Sequence, residues 1–172
     1  VRITAKIDYA VRACVELAAR YDDVTGAAAG PRWVKADEVA AAQEVSVAFV
    51  LGILNELKQA GLVASKRGAD GGYRLAFAPA EITIADVIRV VDGPLANVAG
   101  RHVEDVGYGG AAGAVRDVWV ALRASLRSVL EGVSLEDVAT GRLAAPVRAL
   151  IEGDEAWKTR PHGRATVAGT RS

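Results

Sequence analysis

Apolar residues recur at three- and four-residue steps from the start of the chain: Ile3, Ile7, Ala10, Val11, Cys14, Leu17 and Ala18. That period puts them on one face and predicts an amphipathic helix over residues 3–21, with Thr4 capping its start. Residues 22–34 (DDVTGAAAGPRWV) hold Gly26, Gly30 and Pro31 and read as a loop with a mobile tip. A short helix over 35–43 follows, then a second over 46–60, joined through Glu44 and Val45. Ser46 is a good N-cap, although Phe49 stands where a capping box has Glu. Phe49, Val50, Ile53, Leu54 and Leu57 form the apolar stripe, and Gly61 is a natural stop. Two helices joined this tightly predict a helix-turn-helix.

The period then changes. Residues 62–66 and 73–77 are strand candidates around the glycine-rich turn 67–72, and Pro79 ends the second. Together they predict a β-hairpin with a basic tip. Residues 83–92 form a helix with Thr83 at its cap and Asp86 in its first turn, ended by Gly93 and Pro94. Residues 95–111 are glycine-rich and irregular. The longest helix spans 112–133, with Val115, Val118, Trp119, Leu122, Leu126, Val129, Leu130 and Val133 in one stripe, about 33 Å long. Ser134 starts a short helix ending near Thr140, and 142–152 add a weak last one. The expected fold class is mainly α with a small β-hairpin wing, a winged helix-turn-helix followed by a long helix.

Composition narrows the options. The chain has 172 residues, enough for one domain, or a small domain with an extension. Charged residues make up 24%, so wholesale disorder is not expected. One cysteine excludes an intrachain disulfide and any single-chain site needing two thiolates. Aromatics at 5% leave little for stacking single-stranded nucleic acid. Lys+Arg and Asp+Glu balance at 21 each, yet residues 58–74 carry Lys58, Lys66, Arg67 and Arg74 against Asp70 alone, a local +3. Lys158, Arg160, Arg164 and Arg171 follow with no acid among them, and residues 153–172 are expected to be a disordered basic tail.

No apolar run suits a membrane span, and the first residues lack the apolar core of a secretory signal; Val1 reads as an alternative start codon, and the expected location is cytoplasmic. No P-loop, GxSxG or HExxH motif is present, so no enzyme is expected.

The order of elements has a physical logic. A helix fits the major groove, and its first residues reach base edges. Here those residues are Ser46, Val47, Ala48 and Phe49. The hairpin offers Lys66 and Arg67 to the backbone or minor groove, and Gly68, Gly71 and Gly72 let its backbone turn tightly and approach phosphates. Ala48 and Gly52 supply no hydrogen bond, so readout leans on the wing, methyl contacts and DNA shape. Phe49 has two readings, a core anchor or a contact to thymine methyl or sugar. Ser46 is a cap whose hydroxyl also suits a phosphate.

Particular residues carry a resemblance. Ile3-Thr4-Ala5-Lys6 and Tyr9-Ala10-Val11-Arg12 open it. Leu57-Lys58-Gln59-Ala60-Gly61-Leu62-Val63 and the block from Ser65 to Leu75 (SKRGADGGYRL) continue it. Ile82 to Ile88, with Asp92-Gly93-Pro94, complete it. In these the chain resembles the Rrf2 family of bacterial winged-helix transcription regulators, closely over residues 2–95 and by position along the long helix.

The resemblance implies a homodimer on a palindromic operator. The DNA-binding residues would be Ser46, Val47, Ala48, Phe49, Lys66, Arg67, Gly71, Gly72 and Tyr73. Dimerisation would fall to Val115, Val118, Trp119, Leu122, Leu126 and Val129. The domains would be 1–94 for DNA binding, 95–152 for a flexible loop and dimerisation helices, and 153–172 for the tail. Cluster-bearing members place cysteines in the loop before the long helix. Here 95–111 offers only His102, Glu104, Asp105 and Tyr108, and the first helix offers Asp8 but Arg12. No cofactor and no metal site are therefore expected.

Cys14 reads as a core residue rather than a sensing thiol, and His102 as solvated. Trp33 and Trp119 read as packing residues, with Trp119 at the dimer interface or an effector pocket. The expected function is a homodimeric repressor of transcription without a cluster. The alternative is a winged-helix module that regulates through a protein partner.

Overall fold

The computed structural model describes residues 2–21 and 32–159. Helix α1 (Ala5–Ala19) starts at Thr4, whose hydroxyl accepts from the Ile7 amide at 3.2 Å. Ile7, Ala10, Ala13, Cys14, Leu17 and Ala18 bury its apolar face. Ile3, expected on that face, precedes the cap and is exposed.

Helices α2 (Ala36–Gln43) and α3 (Val47–Gln59) form the helix-turn-helix. Between them Glu44 is left-handed at φ 55°, which lets the amides of Glu44 and Val45 return to the carbonyls of Ala41 and Ala40. The Ser46 hydroxyl then accepts from the Phe49 amide at 3.3 Å. At the far end, Leu62 and Gly61 donate to the carbonyls of Leu57 and Lys58 at 3.0 Å each. This close needs the left-handed Gly61, at φ 80°. Val50, Ile53, Leu54 and Leu57 pack into one core with α1 and with Val39 and Ala40 of α2.

Strands β1 (Val63–Lys66) and β2 (Gly72–Leu75) pair antiparallel, with Val63 opposite Leu75 and Lys66 opposite Gly72. The second strand thus begins one residue earlier than the pattern suggested and stops before Phe77, which is exposed. The Ala76 amide still bonds the Leu62 carbonyl at 2.9 Å before the chain turns into Pro79. A third strand contributes a single residue. Val34 exchanges both backbone hydrogen bonds with Tyr73, at 2.8 and 2.7 Å. A side chain on Gly72 would meet the Val34 carbonyl oxygen at 2.4 Å, and one on Gly71 the Lys66 oxygen at 2.2 Å.

Helix α4 (Ile84–Asp92) and the later helix α6 (Leu135–Thr140) open on matching capping boxes. Asp86 accepts from the Thr83 amide and hydroxyl at 3.0 and 2.7 Å; Asp137 accepts from those of Ser134 at 2.8 and 2.7 Å. Burial alone raises Asp86, but its bonds from Thr83 and the nearby Arg89 outweigh this and hold it below the usual carboxylate range. The Ser134 bonds lower Asp137 likewise. The two boxes lie side by side: Ile84 donates to Val133 at 3.0 Å, and Leu135 to Ile82 at 2.8 Å. Leu135 is consequently 0% exposed within the core around α1. The boundary expected at residue 94 is therefore crossed, because α6 closes the N-terminal core.

Between α4 and α6 lie a two-residue hairpin, β3 (Asn97–Val98) with β4 (Arg101–His102), two 3-10 turns, and helix α5 (Val115–Leu130). At 16 residues, α5 is about 24 Å long rather than 33 Å. Its start is displaced by a 3-10 turn in the glycine-rich Gly110–Ala112, and its end by the strand-like run into Ser134.

Helix α7 (Ala145–Ile151) follows, and a 3-10 turn at Asp154–Trp157 occupies part of the expected tail. There the Trp157 indole donates to the Ile151 carbonyl at 2.8 Å. The remainder of that tail, 160–172, lies outside the described residues, as do residues 22–31 of the expected loop. Among the described residues no helix is long and apolar enough to cross a membrane.

Two glycine substitutions should separate these roles. Gly72→Ala forces apart Val34 and β2 and should cost about 1–3 kcal/mol. Gly52→Ala, mid-helix with nothing within 4 Å of the added carbon, should gain up to about 1 kcal/mol. Urea denaturation of both variants measures this; a neutral Gly72→Ala would contradict the packing of Val34 on the wing.

Candidate nucleic-acid interface

The first turn of α3 faces outward. Ser46, Val47, Ala48 and Phe49 are all exposed, and Gly52 and Asn55 continue the same face one and two turns on. Asn55 is the polar side chain that the sequence reading missed on this face. Phe49 combines its two readings: it is 39% exposed, while its ring edge meets Tyr9 with centroids 5.3 Å apart. Arg12 stacks over the other partner, Tyr9, at 4.8 Å, and bonds Gln43 of α2. The base of the helix-turn-helix is thus fastened to α1.

The wing tip is exposed from Ser65 to Asp70, so Lys66 and Arg67 both face solvent. Arg74 does not join them freely, because its guanidinium lies over the Trp33 ring at 4.4 Å. Lys35 takes a place beside the tip, its ammonium donating to the Ala69 carbonyl at 2.6 Å. Sequence reasoning missed Lys35, since it lies 34 residues away and only the Val34–Tyr73 pairing brings it there. Gly71 is buried, so the expected phosphate contact through its backbone is replaced by a turn role. Gly72 and Tyr73 are half-buried and spend their backbone on the sheet.

Helix α5 has no buried residue. Val115, Trp119, Leu122, Leu126 and Val129 are half-buried, and Val118 is 58% exposed. The Trp119 indole donates to the Tyr108 hydroxyl at 3.1 Å, and Arg123 pairs with Glu104, so the preceding loop is braced on this helix. Trp119 is thus a partly packed residue on an incompletely covered face.

An exposed helix-turn-helix with a basic two-stranded wing defines a winged-helix DNA-binding regulator. Residues 3–141 match the family model described as Rrf2, iron-dependent transcriptional regulator, and the chain belongs to that family. It is 46% identical over 162 residues to a Mycobacterium tuberculosis protein named as an HTH-type transcriptional regulator, covering 94% of this chain and 96% of the relative. It is 32% identical over 139 residues to the HTH-type transcriptional regulator CymR of Bacillus subtilis, covering 81% and 90% of the two chains. Among solved structures, CymR of B. subtilis, described as the global cysteine regulator, aligns with TM-score 0.67 at 30% identity over 82% of this chain and 98% of its own. IscR of T. potens aligns with TM-score 0.63 at 28% identity over 82% and 88%.

The family description names iron. An iron–sulfur cluster needs thiolates. The one thiol of the chain, Cys14, is 0% exposed on the core face of α1, and burial pushes its pKa up to about 12. Residues 95–111 contain no cysteine, and Glu104 there is paired with Arg123. These residues do not fit an iron–sulfur cluster. His102 is exposed, and no group of three metal-ligating side chains occurs among the described residues.

Cys14 should therefore stay protonated and shielded throughout the neutral range. A maleimide or disulfide reagent at pH 8 should label it only after denaturant is added. Rapid stoichiometric labelling of the native protein would contradict this burial.

Proposed function

We propose that this regulator is a cluster-free homodimer that binds a roughly palindromic operator and represses transcription by occupying it. The observation that carries this reading is the exposed first turn of α3 beside a wing tip bearing Lys66 and Arg67. In this reading Ser46, Val47, Ala48 and Phe49 enter the major groove, and Lys66, Arg67 and Lys35 meet the backbone or minor groove. Gly71 and Gly72 shape the wing that carries those charges, and Tyr73 anchors it. With Ala48 and Gly52 on the reading face, discrimination falls on wing contacts, methyl groups and the deformability of the site.

Residues 1–94 together with α6 form the reading unit, and 95–132 supply dimerisation. Half-sites about one turn apart, roughly 34 Å, suit two recognition helices related by a two-fold axis. Support for the dimer comes from α5, whose apolar stripe runs through 16 residues without one becoming buried. A helix with such a stripe needs a partner surface. The protein has no catalytic role in this reading, and its place is the cytoplasm, with DNA.

Footprinting on the upstream region of its own gene should show a two-fold symmetric protected site. Absence of protection at low salt, with a co-purifying protein partner, would favour the partner-binding alternative. Arg67→Ala should weaken specific binding by about 1–3 kcal/mol at fixed salt; an unchanged affinity removes Arg67 from the site.

Val118→Glu places a charge on the exposed stripe of α5. In analytical ultracentrifugation it should shift the protein to monomer while the far-UV spectrum is kept. A dimer undisturbed by this change would place the interface elsewhere.

A further inference from the structure

A cavity of about 460 Å³ opens between the β3–β4 hairpin, helix α5 and the end of α4. Its floor is apolar: Trp119, Leu122 and Leu126 line it. Its remaining wall holds Arg2, Asp92 and Asn97. The charged pair has a notable arrangement. Arg2 and Asp92 line one cavity, yet they do not meet, and neither has an ion-pair or hydrogen-bond partner among the described residues. Other charges nearby are engaged: Arg89 with Glu131, Arg123 with Glu104, and Arg101 with the Asp105 carbonyl.

The complement of this wall is a molecule with a negative end, a positive end and an apolar body. Arg2 offers a planar fork suited to a carboxylate. Asp92 is the last residue of α4, where helix C-terminal carbonyls add partial negative charge, so that end favours a cation. The volume lies in the range of small-molecule sites.

A second observation points to the same place. Ala96 in the lining, outside the Ala99-Gly100 turn of the hairpin, holds left-handed backbone at φ 69°, a conformation that collects at ligand clamps.

We propose that this cavity binds a zwitterionic α-amino acid with a bulky apolar side chain. The carboxylate sits on Arg2, the ammonium on Asp92, and the side chain on Trp119, Leu122 and Leu126. This rests on the reading that α5 dimerises, and it supplies that regulator with a signal. One wall of the cavity belongs to the reading unit, through Arg2 and α4. The other is the dimerisation helix. A ligand touching both shifts the angle between them and therefore the distance between recognition helices.

The test uses the full chain with Trp33→Phe and Trp157→Phe, which leaves Trp119 as the reporter. L-leucine, L-isoleucine and L-methionine are titrated, with N-acetyl-L-leucine and L-leucinamide as probes lacking one charge each. The expected result is a saturable fluorescence change with the free amino acids and none with the two derivatives. Arg2→Ala and Asp92→Asn should each weaken binding at least tenfold while thermal unfolding is unchanged. No saturable response to any of the three amino acids, or equal binding of either derivative, overturns the proposal.

Val98→Phe, on the β3 wall of the cavity and off the α5 stripe, fills the cavity and should abolish binding while the dimer persists. If it abolishes the dimer instead, a second copy occupies the cavity and the proposal fails. An operator footprint insensitive to all three amino acids also removes the signal and leaves the regulator standing. Amino-acid binding with no operator footprint keeps the site and removes the regulator.

Discussion

Two backbone hydrogen bonds, Ile84 to Val133 and Leu135 to Ile82, set where the long helix lies relative to the reading unit. They join the capping boxes of α4 and α6, so the chain leaves the core at the end of α4 and re-enters it at Ser134. The end of helix α5 is thereby tied to the core, while its middle is braced by Tyr108 on Trp119 and Glu104 on Arg123. Without this closure α5 would be a pendant arm, and its direction would carry no information about α3. With it, the exposed stripe of α5 and the exposed start of α3 are joined through one core. Leu135, 0% exposed, seals this join from within the core.

The wing obeys a comparable constraint on a smaller scale. Its two strands have four residues each, too few to stand alone. Val34 adds the third strand, and the Gly71-Gly72 pair lets the backbones close to within contact. The same crossing delivers Lys35 to the tip and Trp33 to the face of Arg74. Positive charge at the wing is therefore assembled from two distant segments. One of the hairpin's own cations is spent on holding the structure.

Much of the fold was legible because it follows period and caps. The stripe Val50, Ile53, Leu54, Leu57 and the Ser46 cap define α3 locally, and Thr83 and Ser134 do the same for their helices. What stayed hidden was non-local. A one-residue strand at Val34 has no periodicity, and nothing near Lys35 announces the wing. The end of α5 was overestimated because Val133 fits the helical stripe, while its backbone is taken by Ile84. At Gly71 and Gly72 the close approach is to the protein's own carbonyls, of Lys66 and Val34, which the sequence does not announce, while Gly68 stands open at the tip. On α3, the exposed face was correctly placed, while the dual position of Phe49 depends on Tyr9, forty residues earlier in the chain.

The emptiness around Gly52 has a further consequence. It sits mid-way along the outward face of α3, flanked by Ala48 and Asn55, with no atom near the space a side chain would occupy. New side chains can be added there without disturbing the core, and most would even strengthen the helix. If α3 reads the operator as proposed, one or two surface changes here would alter its sequence preference. A lineage carrying this chain could drift between target genes while fold, assembly and wing stay constant.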